Sequence, residues 1–185
     1  MKITVSSTPF HDLLIIEPKV FSDERGFFME SWNKSDFEEA GITAQFVQDN
    51  HSRSQKNVLR GLHYQTIGMP LAKLVRCTVG EIYDVTVDLR VSSATYGKWF
   101  GIHLNAENKK ELFVPVGFAH GFAVISDVAE VHYKQTNYFS PDHERILLWN
   151  DPDIAISWPI PTPLLSEKDL DGKSFAEYQK NPAFS

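Results

Sequence analysis

The chain has 185 residues, 42% of them hydrophobic and 12% aromatic, which suits one domain (1–185) with a single buried core. Its formal charge of -6 argues against non-specific nucleic-acid binding, which depends on many Lys and Arg neutralising phosphates. No run of about 18 apolar residues exists to span a bilayer, and the stretch after Lys2, with Ser6, Ser7 and Pro9, lacks a signal peptide's apolar core. A soluble, cytoplasmic protein without membrane association is therefore expected.

Short segments of alternating, β-branched and aromatic residues, bounded by Gly, Pro, Asn and Asp, predict strands over 13–17 and 27–32. Ser35 and Glu38 then have capping-box spacing, and Gly41 would stop the helix between them. Further strands are predicted over 44–48, 58–65, 71–79, 81–89, 98–104, 111–114, 121–126, 130–136 and 145–149. Ser166 to Asp169 resembles a second helix start, and Ser174 to Tyr178 a third. So many short strands with so few helical periods between them argue for an antiparallel sandwich or barrel, since parallel strands need long crossovers. The lone Cys77 sits in an apolar run and is expected to be buried and unbridged.

Within 57–65, Arg60 and His63 are embedded in an otherwise apolar strand. Burying either group has a cost, so each needs a partner or a ligand. Strict alternation places the two on opposite faces, and they share a pocket only if Gly61 marks a bulge or sharp twist. Lys73 alternates with Val75 and Cys77 and points inward if they do; otherwise it snorkels from the strand's start to water. Tyr133 shares parity with Val131 and faces inward, which taken alone is also the signature of a core tyrosine.

The segment Pro115-Val116-Gly117-Phe118-Ala119-His120 has the Pro-x-Gly-x-x-His spacing of a cupin motif, in which a turn delivers a histidine to the barrel interior. The companion motif needs two histidines one residue apart, and the matching strand reads His63-Tyr64-Gln65 instead. The ligand set for a metal is incomplete, so a pocket without metal or other cofactor is expected.

These segments come together with Phe21-Ser22-Asp23-Glu24-Arg25-Gly26-Phe27-Phe28, Phe46 to Ser52, Lys73 to Cys77, Ala106 to Lys109, Tyr138-Phe139-Ser140-Pro141 and Leu165 to Asp169. In that order, from about Leu14 to Asp169, the chain resembles the dTDP-4-dehydrorhamnose 3,5-epimerase family. The resemblance implies a mainly β fold, a cupin-like antiparallel β-barrel or jelly roll with a few short helices. It also implies an isomerase that inverts C3 and C5 of a dTDP-4-keto-6-deoxy sugar, in a homodimer whose sites are completed by the partner chain. Carried over residue by residue, His63 is the base, Asp169 its orienting carboxylate, Lys73 the cation facing the C4 oxygen and Tyr133 the acid on the opposite ring face. By the same matching Arg25, Glu30, Gln48, Asp49, Asn50, Arg60, His120, Tyr138, Glu144 and Lys168 join Lys73 as binding positions, the arginines at the pyrophosphate. Arg25 and Glu30 would act across the dimer interface.

Other readings stay open on the residues alone: a single-centre epimerase, a metal-dependent cupin oxygenase or isomerase, and a sugar-binding barrel without catalysis. A barrel that only binds has no need of an inward lysine, tyrosine and histidine together.

Overall fold

The computed structural model describes residues 2–185. In chain order the strands are β1 (Ile3–Ser7), β2 (Leu14–Pro18), β3 (Val20–Asp23), β4 (Gly26–Met29), β5 (Gln48–Gln55), β6 (Leu59–Gln65), β7 (Lys73–Val79), β8 (Glu81–Asp88), β9 (Trp99–Asn105), β10 (Glu111–Val114), β11 (Phe118–Val124), β12 (Val128–Gln135) and β13 (Glu144–Ile146). Three short helices accompany them, α1 (Lys34–Glu39), α2 (Glu167–Leu170) and α3 (Phe175–Lys180). Among the described residues no helix is long and apolar enough to cross a membrane.

One sheet runs β1-β2-β10-β7-β12-β5, the other β13-β6-β11-β8-β9, and β3 and β4 form a separate hairpin. All pairings between these strands are antiparallel, and the jumps in strand order are those of a jelly roll. Alternation decides what the sheets bury between them. Val75, Cys77, Leu112 and Val131 from the first sheet meet Ile82, Leu104, Phe122 and Val124 from the second. Cys77 is buried and unbridged, as its apolar surroundings lead one to expect.

Several boundaries differ from expectation, each for a local reason. The strand expected over 44–48 instead starts at Gln48 and runs to Gln55, a stretch with no apolar residue at all. Its inward positions are Gln48, Asn50, Ser52 and Ser54, because this edge strand faces a polar part of the interior; hydrophobic alternation has nothing to register there. β1 and β3 were not anticipated either. β1 is an edge strand ending in serines, and all four residues of β3 are exposed. β4 stops at Met29 rather than residue 32, and α1 is capped by Asn33 rather than Ser35. The Asn33 backbone is extended, and its side chain accepts from the Ser35 and Asp36 amides at 3.1 and 3.4 Å. The two later helices start as expected, on Ser166 and on the Ser174/Glu177 capping box.

Gly61 does mark an irregularity. Its φ is +117°, and a Cβ there would stand 2.6 Å from the Gly121 Cα, so the close approach of β6 to β11 admits only glycine. The pairing of these strands shifts register between His120 and Phe122. Arg60 and His63 consequently line the same pocket.

The outer face of the six-stranded sheet carries Glu111, Arg76, His132 and His51 as successive cross-strand neighbours. Glu111 has no exposed surface, and among the described residues neither of its carboxylate oxygens has a hydrogen-bond partner. Burial pushes this carboxyl up to about 8, against the opposing charges of Arg76 and Lys134.

Candidate active site

A pocket of about 260 Å³ opens between the two sheets at the polar end of their shared interior. The five-stranded sheet contributes Arg60 and His63 from β6 and His120 from β11; the six-stranded sheet contributes Lys73 from β7, Tyr133 and Gln135 from β12 and Ser52 from β5. Histidines and tyrosine thus stand on opposing walls. Glu144 and Lys168 form part of the rim, where the Lys168 ammonium donates to both Glu144 oxygens at 2.8 and 2.7 Å.

His63 is oriented from behind. Its Nε2 lies 2.6 Å from Oδ1 of Asp169, and the Asp169 amide is held by the capping hydroxyl of Ser166. Burial pushes the Asp169 carboxyl up, but the hydrogen bond and charge of His63 outweigh it, and the net shift is downward. A carboxylate beside Nε2 favours the tautomer that carries its proton on that nitrogen. Asp169 is both the capping-region residue that its sequence context suggested and the partner of an imidazole.

Lys73 is 8% exposed, so the snorkelling alternative does not hold although the residue does open its strand. Burial pushes its ammonium down to about 8, partly restored by the charges of Asp84 and Glu144. Nζ stands 3.4 Å from Nδ1 of His120, whose Nε2 lies 3.0 Å from both oxygens of Asp84. Burial lowers the proton affinity of His120, so the neutral ring donates to Asp84 through Nε2 and offers Nδ1 to the lysine. Lys73 also approaches the Tyr133 ring, 6.0 Å from its centroid, and burial raises the Tyr133 phenol above its ordinary value. The phenol therefore stays protonated at neutral pH.

Arg60 is steered by Ser54, whose Oγ accepts from Nε at 3.0 Å. Beside it the inward side of β5 holds two groups without partners among the described residues, the Asn50 amide nitrogen and the Ser52 hydroxyl. Gln48 is engaged, its Nε2 donating to Asn50 and its Oε1 accepting from the Phe139 amide. Tyr138, next to Phe139, is 61% exposed.

Of the expected binding positions, Gln48, Asn50 and Tyr138 do not line this pocket, and Asp49, Arg25 and Glu30 are directed elsewhere within the chain. Asp49 has the opposite parity on β5 and pairs with Lys134 on the outer face. Arg25 sits exposed at the turn between β3 and β4, paired with Asp23, and Glu30 just beyond β4 pairs with Lys2 at 2.9 Å. Conversely, Asp84, Ser52, Ser54 and Gln135 were not anticipated. Asp84 did carry a signal, as a lone carboxylate in the middle of the β-branched run 82–87; the others are common polar residues with none. Among the described residues no three His, Cys, Asp or Glu side chains cluster as a metal would require.

A histidine hydrogen-bonded to a buried carboxylate, a buried lysine and a protonated phenol on the facing sheet are groups chemically able to move protons and to face a developing anion. Known proteins resemble the chain over nearly its whole length. The family model of dTDP-4-dehydrorhamnose 3,5-epimerase matches residues 7–177. A dTDP-4-dehydrorhamnose 3,5-epimerase of Shigella flexneri is 57% identical over 95% of this chain and 97% of its own, and one of Pseudomonas aeruginosa is 55% identical over 96% and 97%. A crystal structure of dTDP-6-deoxy-D-glucose-3,5-epimerase from Legionella pneumophila, in complex with dTDP-4-keto-L-rhamnose, superposes with a TM-score of 0.92 at 45% identity, covering 99% of each chain.

Proposed function

The chain belongs to the dTDP-4-dehydrorhamnose 3,5-epimerase family and is an isomerase, and from that premise we propose the roles of its own residues in inverting C3 and C5 of a dTDP-4-keto-6-deoxy sugar. The observation that carries the assignment is the placement of His63 and Tyr133 on opposing sheets, with Lys73 lining the same pocket from the strand next to Tyr133's.

Nδ1 of His63 takes the proton from C5. The C–H electron pair becomes the C4–C5 double bond, and the carbonyl π pair moves onto O4. Asp169 holds the imidazole in the required tautomer and stabilises the imidazolium that forms. Lys73 faces the developing oxyanion with a charge held in low dielectric, where it has its largest effect. Asp84 and His120 fix the direction of that charge. Tyr133 then gives its proton to C5 on the opposite face of the ring as the C4 carbonyl re-forms; the imidazolium returns its proton to solvent, the phenolate takes one back, and the restored pair repeats the cycle at C3. No role in this sequence calls for a cofactor.

A pocket of about 260 Å³ falls below the ~300–1,000 Å³ of sites that enclose a drug-sized ligand. It takes the hexose and leaves the nucleotide along the rim. Arg60, Gln48, Asn50, Lys168, Glu144 and Tyr138 are the binding groups there, with Arg60 at the pyrophosphate as a bidentate donor. The protein acts as a cytoplasmic homodimer in the supply of L-rhamnose for cell-surface polysaccharide. Support for the dimer comes from the β3–β4 hairpin: Phe27 and Phe28 are 61% and 65% exposed and stand beside Arg25, which its own pocket does not use. In the dimer Arg25 and Glu30 reach the partner's site, and Asp49 serves from the flank of β5. The chain forms one domain throughout.

The test is NMR of the product formed from dTDP-4-keto-6-deoxyglucose in deuterated water. Inversion with deuterium at both C3 and C5 is expected. Deuterium at one carbon alone would make the protein a single-centre epimerase, and an unchanged sugar would overturn the reading.

A further inference from the structure

Three glutamines stand around the pocket, and two of them are fully employed in the protein. Gln48 is bonded as described above, and Gln65 donates through Nε2 to the Met69 and Tyr138 carbonyls at 2.7 and 3.2 Å while its Oε1 accepts from the Ser140 amide at 2.7 Å. Both amides tie the 138–140 segment to the barrel. Gln135 differs from them. It is 6% exposed, lines the pocket, and its side-chain carbonyl has no hydrogen-bond partner among the described residues.

A buried amide oxygen without a partner is costly, and where it faces a binding cavity a ligand's donor removes the penalty. Its position specifies which donor. Gln135 follows Tyr133 by two residues on β12 and so shares its inward face, and it is the cross-strand neighbour of Lys73 on β7. With Lys73 directed at O4 of the sugar, the group beside O4 that can donate a hydrogen bond is the hydroxyl on C3. We infer that Gln135 is a substrate-orienting residue that binds the C3 hydroxyl and thereby governs the second of the two inversions. This rests on the epimerase reading and adds to it an asymmetry between the two carbons. The hydroxyl on C3 changes its direction when that carbon inverts, while C5 carries no hydroxyl. A side-chain carbonyl with no partner among the described residues is available in either direction, whereas the amides of Gln48 and Gln65 are engaged through both oxygen and nitrogen.

The experiment measures deuterium entry at C3 and C5 separately, by NMR, for the full-length wild type, Gln135→Leu and the longer, unbranched Gln135→Met. Thermal melting establishes that the variants are folded. The expected result is that exchange at C3 falls at least about ten-fold more than exchange at C5, the discrimination typical of a lost hydrogen bond to a substrate hydroxyl. Equal losses at both carbons would mean that Gln135 only supports Lys73, and would overturn the inference, as would unchanged exchange at both. Absence of exchange at both carbons in the wild type would instead refute the epimerase reading on which it rests.

Discussion

Nζ of Lys73 lies 3.4 Å from Nδ1 of His120, with both side chains buried and Asp84 fixing the far side of the imidazole. The arrangement keeps the ammonium aimed but not fully stabilised, since burial has already brought its proton affinity down to about 8. The charge is present below that pH and lost above it. The rate of isomerisation should therefore decline as pH rises through about 8, and a pH profile of kcat would show a descending limb there. Lys73→Ala should remove that limb and lower kcat by roughly 10²- to 10³-fold, as for a lost oxyanion donor. A profile flat to pH 10 in the wild type would exclude Lys73 as the electrostatic partner.

His63 and Tyr133 should fail differently when removed. His63→Asn eliminates the proposed base, so product formation and deuterium wash-in should both stop. Tyr133→Phe leaves the base and Lys73 in place, so deuterium can still enter without inversion while net epimerisation falls by roughly 10²- to 10⁴-fold. Near-normal wash-in by a folded His63→Asn variant would show that another group takes the proton.

Arg60 is held by Ser54 at the mouth of the pocket. Arg60→Ala should weaken sugar-nucleotide binding by roughly 2–5 kcal/mol, measurable by calorimetry with dTDP, and Lys should restore only part because a point charge cannot reproduce the guanidinium fork. Equal affinities in wild type and the alanine variant would remove Arg60 from the phosphate site.

Glu111 bears on stability rather than chemistry. Its carboxyl is held up at about 8, whereas an unfolded chain ionises near the ordinary 4.5. Between those values the unfolded state releases a proton that the folded state retains, so this residue costs stability as pH rises from about 4.5 to 8. The cost reaches the order of a few kcal/mol at the upper end. Glu111→Gln cannot ionise and should flatten this decline, raising the melting temperature relative to wild type more at pH 8 than at pH 5. Parallel melting curves across that range would contradict the assignment.

What could be read before folding depended on whether a residue's neighbours in sequence are also its neighbours in chemistry. β7, β8, β10 and β12 announced themselves because their inward positions are apolar, and Lys73 and Tyr133 were conspicuous as exceptions within that pattern. The bulge at Gly61 could be posed only as a condition, since its cause is the Gly121 backbone, 60 residues on in the chain. β5 was misplaced because its inward side serves the pocket and carries no apolar residue. Gln135 and Ser52 were invisible for a related reason. An amide or hydroxyl becomes distinctive only when every other polar group nearby has a partner, and partnership is settled by strands distant in sequence.

The pairing of His63 with Asp169 spans 106 residues, and the segment carrying the carboxylate is laid against the barrel by the bridge of Leu164 to Val58. A chain emerging from the ribosome through β13 already contains Lys73, Tyr133 and the imidazole, yet nothing to fix the imidazole's tautomer. The group that orients the imidazole thus lies outside both sheets, in α2, so a chain ending before α2 would retain every strand that lines the pocket and lack that carboxylate.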